Sequence, residues 1–168
     1  MAGRVVERYG GTDTLFVSLL DGGPEFSTPL MTEAHRLDPN FHPEVRYIDT
    51  DKYDDDQVGK EVRITRGLPD DVRVQGRLAV ILDEVLDSAE TTEKVEDYLL
   101  GLGAIGVEVV VLAQKERPRR VWQEATMYGL TTPNGWLVGM GMDGAPGMAP
   151  EVYRFADYIG MVVGSEQP

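Results

Sequence analysis

Three carboxylates follow an apolar run near the middle of the chain. Asp83 and Glu84 come directly after residues 78–82, and Asp87 stands three positions later. Neighbouring carboxylates offer hard oxygen atoms, which can bind sugar hydroxyls or a hydrated divalent cation such as Mg²⁺. Small and hydroxyl residues then lead into a helical pattern: Ser88, Ala89, Glu90, Thr91 and Thr92. Because free backbone N–H groups at a helix start favour anions, this stretch could bind a phosphate.

A buried strand and an amphipathic helix are the elements that would position these residues. Nothing polar interrupts residues 78–82, which is typical of a strand buried on both faces of a parallel sheet. We therefore place Asp83 and Glu84 at the tip of that strand, pointing to opposite sides. Beyond the loop, apolar residues recur at helical spacing, and glycines stand near the expected end. These residues are Val95, Tyr98, Leu99 and Leu102, with Gly101 and Gly103.

Apolar runs predict further strands on either side of this unit, at residues 15–20, 45–48, 61–65, 107–112 and 158–163. Lys115 lies just beyond the predicted strand 107–112. Residues 4–9 predict a short helix, and a second helix would bury one face made of Phe26, Leu30, Ala34 and Leu37. The polar residues 49–60 predict a solvated hairpin, whose tip could act as a mobile lid. Residues 136–143 predict a strand that ends in the carboxylate of Asp143.

Charge and composition restrict the function. The formal net charge of −13 opposes unassisted binding to nucleic acid, and a polyanionic small substrate would need Mg²⁺ and local cations. The absence of cysteine excludes disulfides and thiolate sites. His35 and His42 are too few and too far apart in sequence to predict a zinc centre. No stretch has the pattern of a membrane span or a signal peptide, so we expect a cytoplasmic protein without a membrane partner.

The central loop resembles the signature with which type I phosphoribosyltransferases bind 5-phosphoribosyl-1-pyrophosphate (PRPP). That signature is an apolar strand, two acidic residues, two apolar residues and then Asp-Thr-Gly-x-Thr. Here its last part reads Asp87-Ser88-Ala89-Glu90-Thr91, with Ser in place of Thr and Ala in place of Gly. Residues 128–143 are similar to the hypoxanthine-guanine phosphoribosyltransferase segment Tyr-Val-Gly-Phe-Glu-Ile-Pro-Asp-x-Phe-Val-Val-Gly-Tyr-Gly-Leu-Asp. Lys115 with Pro118-Arg119 also matches the Lys and Pro-Arg of that family.

The resemblance extends from Leu15 to the end of the chain and implies a fold and a reaction. The expected fold is α/β, with a mainly parallel sheet flanked by helices under a small hood, as a single domain over residues 1–168. The implied reaction transfers a 5-phosphoribosyl group from PRPP to a 6-oxopurine such as hypoxanthine or guanine, with Mg²⁺ as cofactor. Relatives of this kind suggest a homodimer or a homotetramer.

The resemblance also assigns individual roles around the sugar and the purine. Asp83 and Glu84 would bind the ribose hydroxyls directly or through metal. Asp87 would accept the proton at purine N7, although an aspartate there could instead cap the following helix. Lys115 would donate to the purine O6, and an ammonium selects an oxo group because it cannot accept a hydrogen bond. The remaining purine contacts would be stacking by Trp136, unless that ring belongs to the core, and the Leu137 backbone near C2.

On the phosphate side the resemblance is weaker. Ser88, Ala89, Glu90, Thr91 and Thr92 would wrap the 5′-phosphate, and Asp21, Gly22 and Arg154 would meet the pyrophosphate beside a second Mg²⁺ on Asp143. A carboxylate at Asp21 should repel pyrophosphate unless it points away or meets Mg²⁺. Glu90 raises the same concern unless it faces solvent, and Ala89 lacks the freedom of the family's glycine.

Two other hypotheses remain open. One is a regulatory module that binds a purine or nucleotide without transfer, which the departures at Asp21, Ala89 and Glu90 favour. The other is an unrelated doubly wound nucleotide-binding protein, because a fold alone does not determine a function.

Overall fold

The computed structural model describes residues 1–20, 22–55, 59–116, 124–140, 142 and 160–162, with only the backbone at 52–55, 59–60 and 160–162. The helices are α1 (Ala2–Tyr9), α2 (Gly23–Leu37) and α3 (Glu90–Gly101). The strands are β1 (Thr14–Leu20), β2 (Glu44–Asp55), β3 (Gly59–Arg66), β4 (Leu78–Leu86), β5 (Gly106–Lys115), β6 (Met127–Thr132), β7 (Trp136–Val138) and β8 (Gly160–Val162).

Six of these strands form one sheet in the order β3-β2-β1-β4-β5-β6. The pairs β1–β2, β1–β4, β4–β5 and β5–β6 are parallel, and β2–β3 is antiparallel. Strands β7 and β8 pair antiparallel in a separate two-stranded sheet. The mainly parallel α/β architecture is thus confirmed, and the carboxyl ends of β1, β2, β4 and β5 meet at one edge of the sheet.

Helices cover both faces of the sheet. Alternate residues of β4 point to opposite sides: Ala79 and Ile81 belong to the core cluster of α3, whereas Val80 and Leu82 belong to the cluster of α1 and α2. All four side chains are fully buried. The prediction of a central strand buried on both faces is therefore confirmed, because successive residues of a strand alternate between the two faces.

Strand β4 is longer than its apolar run predicts. Asp83, Glu84 and Val85 continue the strand, and β4 pairs with β5 as far as Leu86 opposite Gln114. The position of Asp83 and Glu84 at the strand tip was therefore wrong, because the backbone ladder continues through polar side chains. Lys115 is likewise the last residue of β5 rather than a residue beyond it.

Other predicted boundaries also differ from those of the structure. The polar stretch forms the predicted hairpin, but its residues extend β2 to Asp55 and start β3 at Gly59, and its tip at 56–58 lies outside the described residues. The predicted strand 136–143 shortens to Trp136–Val138. Leu37 is 49% exposed and Leu102 is 43% exposed, so neither belongs to the buried face of its helix.

Arg77 closes the opposite edge of the sheet, where the strands begin. It is 5% exposed, and its Nη1 donates to Glu44 Oε2 at 2.7 Å and to the Arg73 carbonyl at 2.9 Å. Its Nη2 donates to the Thr14 carbonyl at 3.2 Å, and its Nε lies 2.8 Å from Asp13 Oδ1. One guanidinium thus ties together the starts of β1, β2 and β4.

Helix α1 is fastened to the start of β5 by a smaller cluster. Arg8 Nη2 lies 2.5 Å from Glu108 Oε1, and the Tyr9 hydroxyl donates to Glu108 Oε2 at 2.7 Å. The hydrogen bond from Arg8 is the main cause that lowers the pKa of the Glu108 carboxyl. Burial is the main cause that raises the pKa of Tyr9.

In the part of the chain that the structure describes, no helix is long and apolar enough to span a membrane.

Candidate active site

A cavity of about 560 Å³ opens at the carboxyl-end edge of the six-stranded sheet. This volume lies within the usual range for a small-molecule site, and the edge is where parallel α/β sheets bind ligands. The cavity brings together most of the residues that the sequence singled out. They are Gly22, Asp83, Glu84, Asp87, Ser88, Ala89, Thr91, Thr92, Lys115, Trp136 and Leu137.

Some predicted residues are not part of this group. Glu90 is exposed and is absent from the cavity lining, in line with the expectation that it could face solvent. Asp21, Asp143 and Arg154 lie outside the described residues, as do Pro118 and Arg119. The predicted pyrophosphate side is therefore represented here only by Gly22.

Asp83 and Glu84 both reach the cavity from the last part of β4. The Glu84 backbone N–H donates to Asp83 Oδ1 at 3.0 Å, which holds the Asp83 carboxylate beside its own strand. Glu84 Oε2 is buried, and within the described residues no donor reaches it. A carboxylate oxygen at this position can accept a hydrogen bond from a hydroxyl or a water, or it can bind a cation.

Gly22 makes room for the Glu84 carboxylate. A Cβ atom at position 22 would overlap both the carboxyl carbon and the carboxylate oxygens of Glu84. A side chain at position 22 would therefore push the Glu84 carboxylate out of its present position. This contact links the β1–α2 loop to the Asp83–Glu84 carboxylates, and the sequence alone gave no sign of it.

Asp87 and Lys115 form an ion pair between the turn after β4 and the end of β5. Lys115 Nζ lies 2.8 Å from Asp87 Oδ2, and Lys115 is 3% exposed. Register places their neighbours Leu86 and Gln114 opposite each other in the sheet, which brings the two side chains together. The cap residue of α3 is Ala89, and α3 has no side-chain cap bond. The alternative role of Asp87 as a helix cap is therefore not supported.

The predicted phosphate loop enters α3 through a left-handed residue. Ala89 has φ 69° and ψ 5° and is 4% exposed. Ala89 thus has the left-handed backbone that usually favours glycine, although it carries a Cβ. The conformation costs an L-residue about 1–2 kcal/mol. Backbone strain of this kind concentrates at ligand sites.

The separate small sheet supplies the other wall of the cavity. Leu137 is buried in a cluster with Ala113 and Met142, against which Val85 packs. Trp136 is partly buried and lines the cavity. Its ring belongs to none of the described core clusters, which argues against the alternative that it is a core residue.

Comparison with known proteins identifies the family. Residues 1–144 match the sequence model of the phosphoribosyl transferase domain. The chain belongs to this phosphoribosyl transferase family. The family that the loop signature indicated is thus confirmed.

Named relatives of this phosphoribosyl transferase domain agree with that assignment. The bifunctional protein TilS/HprT of Listeria innocua is 32% identical over 155 residues, which are 92% of this chain and 22% of that protein. The chain thus spans about a fifth of that relative. The hypoxanthine phosphoribosyltransferase of Escherichia coli K12 is 28% identical over 163 residues, covering 95% of this chain and 85% of that protein.

A solved structure supports the fold of the phosphoribosyl transferase domain. The hypoxanthine phosphoribosyltransferase of Staphylococcus aureus superimposes with a TM-score of 0.80 at 23% identity. The match covers 96% of this chain and 82% of that one. At this identity the likeness establishes the architecture alone.

Sequence reasoning missed several lining residues of this phosphoribosyl transferase cavity. Thr50 and Asp51 reach it from β2, although their polar stretch indicated a solvated hairpin with a possible lid at its tip. Because parallel strands end at the same edge of a sheet, a longer β2 would have placed these residues beside the site. With Asp51, four carboxylates and the ammonium of Lys115 line the described part of the cavity, so its charge is predominantly negative.

The number of carboxylates near Glu84 fits the way in which proteins bind Mg²⁺. Among the described residues, no group of three or more His, Cys, Asp or Glu could hold a metal by itself. Mg²⁺ commonly takes only one or two protein carboxylates and completes its shell with water and substrate phosphates. Asp83 and the buried oxygen of Glu84 suit that arrangement.

Proposed function

We propose that this chain transfers the 5-phosphoribosyl group of PRPP to a 6-oxopurine, such as hypoxanthine or guanine, and releases pyrophosphate. The observation that carries the proposal is the convergence, in one cavity, of the Asp83–Glu84 carboxylates, the loop that enters α3 and the Asp87–Lys115 pair. Family membership and the names of the relatives support the same reaction.

The Asp87–Lys115 pair explains the choice of a 6-oxopurine. Its ammonium donates and its carboxylate accepts, and the two groups are 2.8 Å apart. A 6-oxopurine presents an accepting O6 beside N7, which carries a proton in one tautomer. Adenine presents an amino group where O6 would be, and an ammonium cannot accept from it. Lys115 would therefore bind O6 while Asp87 accepts from N7.

At the sugar end, Asp83 and Glu84 would orient the ribose hydroxyls, and the backbone N–H groups at the start of α3 would bind the 5′-phosphate. Bound Mg²⁺ would neutralise pyrophosphate charge, held by Asp83 and Glu84 and, we propose, by Asp143. Such neutralisation matters in a cavity lined by Asp51, Asp83, Glu84 and Asp87, because like charges would otherwise repel PRPP.

In the reaction, a bond forms between a purine nitrogen and the ribose C1, and the bond from C1 to pyrophosphate breaks. Positive charge develops on the ribose, and the purine becomes more acidic as it is alkylated. Asp87 would take the proton from N7, and Lys115 would fix the purine plane through O6. The chain would thus act mainly by positioning and by electrostatic stabilisation.

The direct test is pyrophosphate release by the purified chain with Mg²⁺, PRPP and one of hypoxanthine, guanine, xanthine or adenine. We expect turnover with at least one of hypoxanthine and guanine and none with adenine. Turnover with adenine alone would overturn the proposed role of Lys115. Absence of turnover with every purine would overturn the proposed reaction.

The negative lining of the cavity favours a second candidate, a regulatory module that binds a purine or nucleotide without transfer. Calorimetry with hypoxanthine, guanine and inosine monophosphate distinguishes the two. Purine binding together with no pyrophosphate release would support the module.

We also propose a single phosphoribosyltransferase domain over residues 1–168, a cytoplasmic location and a homodimer or homotetramer. Nucleic acid and membranes are not expected partners. Light scattering coupled to size-exclusion chromatography tests the subunit count, and a monomeric mass at micromolar concentration would contradict it.

A further inference from the structure

The two histidines of this chain are seven residues apart in sequence and adjacent in space. His35 lies in the last turn of α2, and His42 lies in the loop before β2. Their ring centroids are 4.8 Å apart, the planes are tilted by 45°, and both side chains are exposed. Their separation in sequence argued against a shared site, but the turn between α2 and β2 brings the two rings together.

The hydrogen bonding of His35 leaves a nitrogen suited to metal binding. Its Nδ1 lies 3.3 Å from the Phe41 carbonyl oxygen. A carbonyl oxygen can only accept, so Nδ1 must carry the proton, and Nε2 of the neutral ring then carries a lone pair. Metal-binding histidines commonly use their other N–H in this way, because the bond fixes the tautomer and the ring orientation.

The ring separation matches two imidazoles on one metal ion. A metal about 2.0–2.1 Å from each ligating nitrogen lies roughly 3 Å from each ring centroid. At ligand angles of roughly 90–110° the two centroids are then roughly 4.5–5.5 Å apart. The observed 4.8 Å falls in that interval.

The turn that carries the second histidine is well fixed. Phe41 is buried and packs edge-on against Phe16, with ring centroids 6.2 Å apart. Its backbone N–H donates to the Asp38 carbonyl at 2.9 Å, and the Asn40 N–H donates to Asp38 Oδ1 at 2.9 Å. A site held by rigid neighbours loses little entropy when it binds, which favours affinity.

We propose that His35 and His42 form a two-imidazole site for a borderline divalent transition metal, with Cu²⁺ bound more tightly than Ni²⁺ or Zn²⁺. Imidazole nitrogen suits these ions and not Mg²⁺, and the affinity order follows the general trend for nitrogen ligands. The net charge of −13 also favours cations near the surface. Water would complete the coordination shell.

This site is separate from the phosphoribosyl transferase cavity. Gly23 starts α2 beside that cavity, and His35 lies twelve residues further along the helix, which is about 18 Å at 1.5 Å per residue. The metal would bridge the end of α2 and the end of the loop that leads into β2, at the edge of the sheet opposite the cavity. The proposal therefore does not depend on the proposed reaction.

The experiment is calorimetric titration of untagged protein with CuCl₂, NiCl₂, ZnCl₂ and MgCl₂, for the native chain and for His35→Gln, His42→Gln and the double variant. Glu33→Gln is the matched control, because it removes an exposed charge from the same helix end without removing an imidazole. We expect one equivalent of Cu²⁺ in the native chain, about tenfold or more weaker binding in each single variant, and normal affinity in Glu33→Gln. Electron paramagnetic resonance of the Cu²⁺ complex should show coupling to two imidazole nitrogens.

Three results would overturn the site. One is a single variant that binds Cu²⁺ as tightly as the native chain, since both rings are required. Another is undiminished binding by the double variant, which would place the metal elsewhere. The third is a loss in Glu33→Gln as large as the loss in the histidine variants, because general electrostatic attraction would then explain the binding.

Discussion

The two edges of the six-stranded sheet use charged side chains in opposite ways. At the edge where the strands begin, Arg77 is buried, and all three of its guanidinium nitrogens lie within bonding distance of described oxygen atoms. At the edge where the strands end, Glu84 Oε2 is buried and receives no hydrogen bond from any residue whose placement is described. Ala89 adds a left-handed backbone at the same edge. The buried charge at the first edge is satisfied by the chain itself, whereas the buried oxygen at the second edge is available to a ligand.

The two edges should therefore contribute to different properties, one to stability and the other to activity. Satisfied buried charges hold a structure together, whereas an unsatisfied buried oxygen and a strained backbone reduce its stability. Substitutions at the Arg77 edge should therefore act mainly on the free energy of unfolding. Substitutions at the cavity edge should act mainly on turnover and substrate affinity.

The largest effect on turnover is expected for Asp87→Asn. Asparagine keeps the shape and can still accept from Lys115, but it cannot take the proton from purine N7. Under the proposed mechanism, this loss of a general base should lower kcat by about 10²–10⁴-fold, with a much smaller change in the affinity for hypoxanthine. Steady-state kinetics and calorimetry measure the two quantities, and equal losses in both would contradict the role of Asp87.

The largest effect on stability is expected for Arg77→Ala. It leaves the carbonyls of Arg73 and Thr14 without their donor, which should cost about 1–3 kcal/mol of unfolding free energy, whereas Glu44 keeps its ion pair with Arg46. Urea denaturation measures the change. Arg77→Lys should fall in between, because an ammonium keeps the charge without the planar fork. If the loss of kcat, expressed as an activation free energy, exceeded the loss of unfolding free energy, the two edges would not differ in the proposed way.

An intermediate effect is expected for Gly22→Ala, which should displace the Glu84 carboxylate. We expect the KM for PRPP to rise roughly ten- to a hundredfold, because misplacement by about 1 Å is enough for such a loss. Adding Glu84→Asp should restore part of the affinity, since a shorter side chain leaves room for the new methyl group. Gly101→Ala is the control, because open space surrounds that position. A double variant no better than Gly22→Ala would refute the steric link.

A smaller effect is expected for Ala89→Gly. Glycine adopts the left-handed conformation without strain, but it also gains freedom in the unfolded chain, so the net gain in unfolding free energy should be at most about 1 kcal/mol. Urea denaturation at neutral pH tests it. A clear loss of stability would mean that the buried methyl group matters more than the strain.

The smallest effect concerns Glu108, at the edge where the strands begin. Its pKa is lowered in the folded chain, chiefly by the hydrogen bond from Arg8. Its stabilisation is therefore present above the ordinary pKa of a glutamate and is lost as the pH falls through the lowered value. Glu108→Gln should cost at most about 1 kcal/mol at neutral pH, and the difference from the native chain should shrink in acid. A difference that grows in acid would contradict this sign.

The sequence predicted the elements better than their ends. The apolar run 78–82 identified the central strand because burial on both faces leaves a direct pattern. The same pattern could not show that Asp83 to Leu86 continue the strand, because backbone pairing with β5 does not depend on side-chain polarity. Asp51 was missed for the same reason, since strand pairing carries a polar segment into the site.

Within the candidate site, motif order identified Asp87 and Lys115, and the structure places them 2.8 Å apart. Their roles, like those of the other predicted site residues, stay predictions. Motif order gave no sign of the Gly22–Glu84 contact, because that contact joins the loop before α2 to strand β4, sixty-two positions further along the chain. It also indicated that Ala89 lacks the freedom of a glycine, and the structure gives this residue the left-handed backbone that usually favours glycine.

The order of the strands has a consequence for the way in which the chain folds. Only β2 and β3 form a hairpin within the six-stranded sheet, and each parallel pair must wait for a long connection to close. Hairpins form in roughly microseconds, whereas pairing between distant segments is much slower. The hairpin should therefore form early, and the cavity, which needs β1, β4 and β5 side by side, should be assembled late.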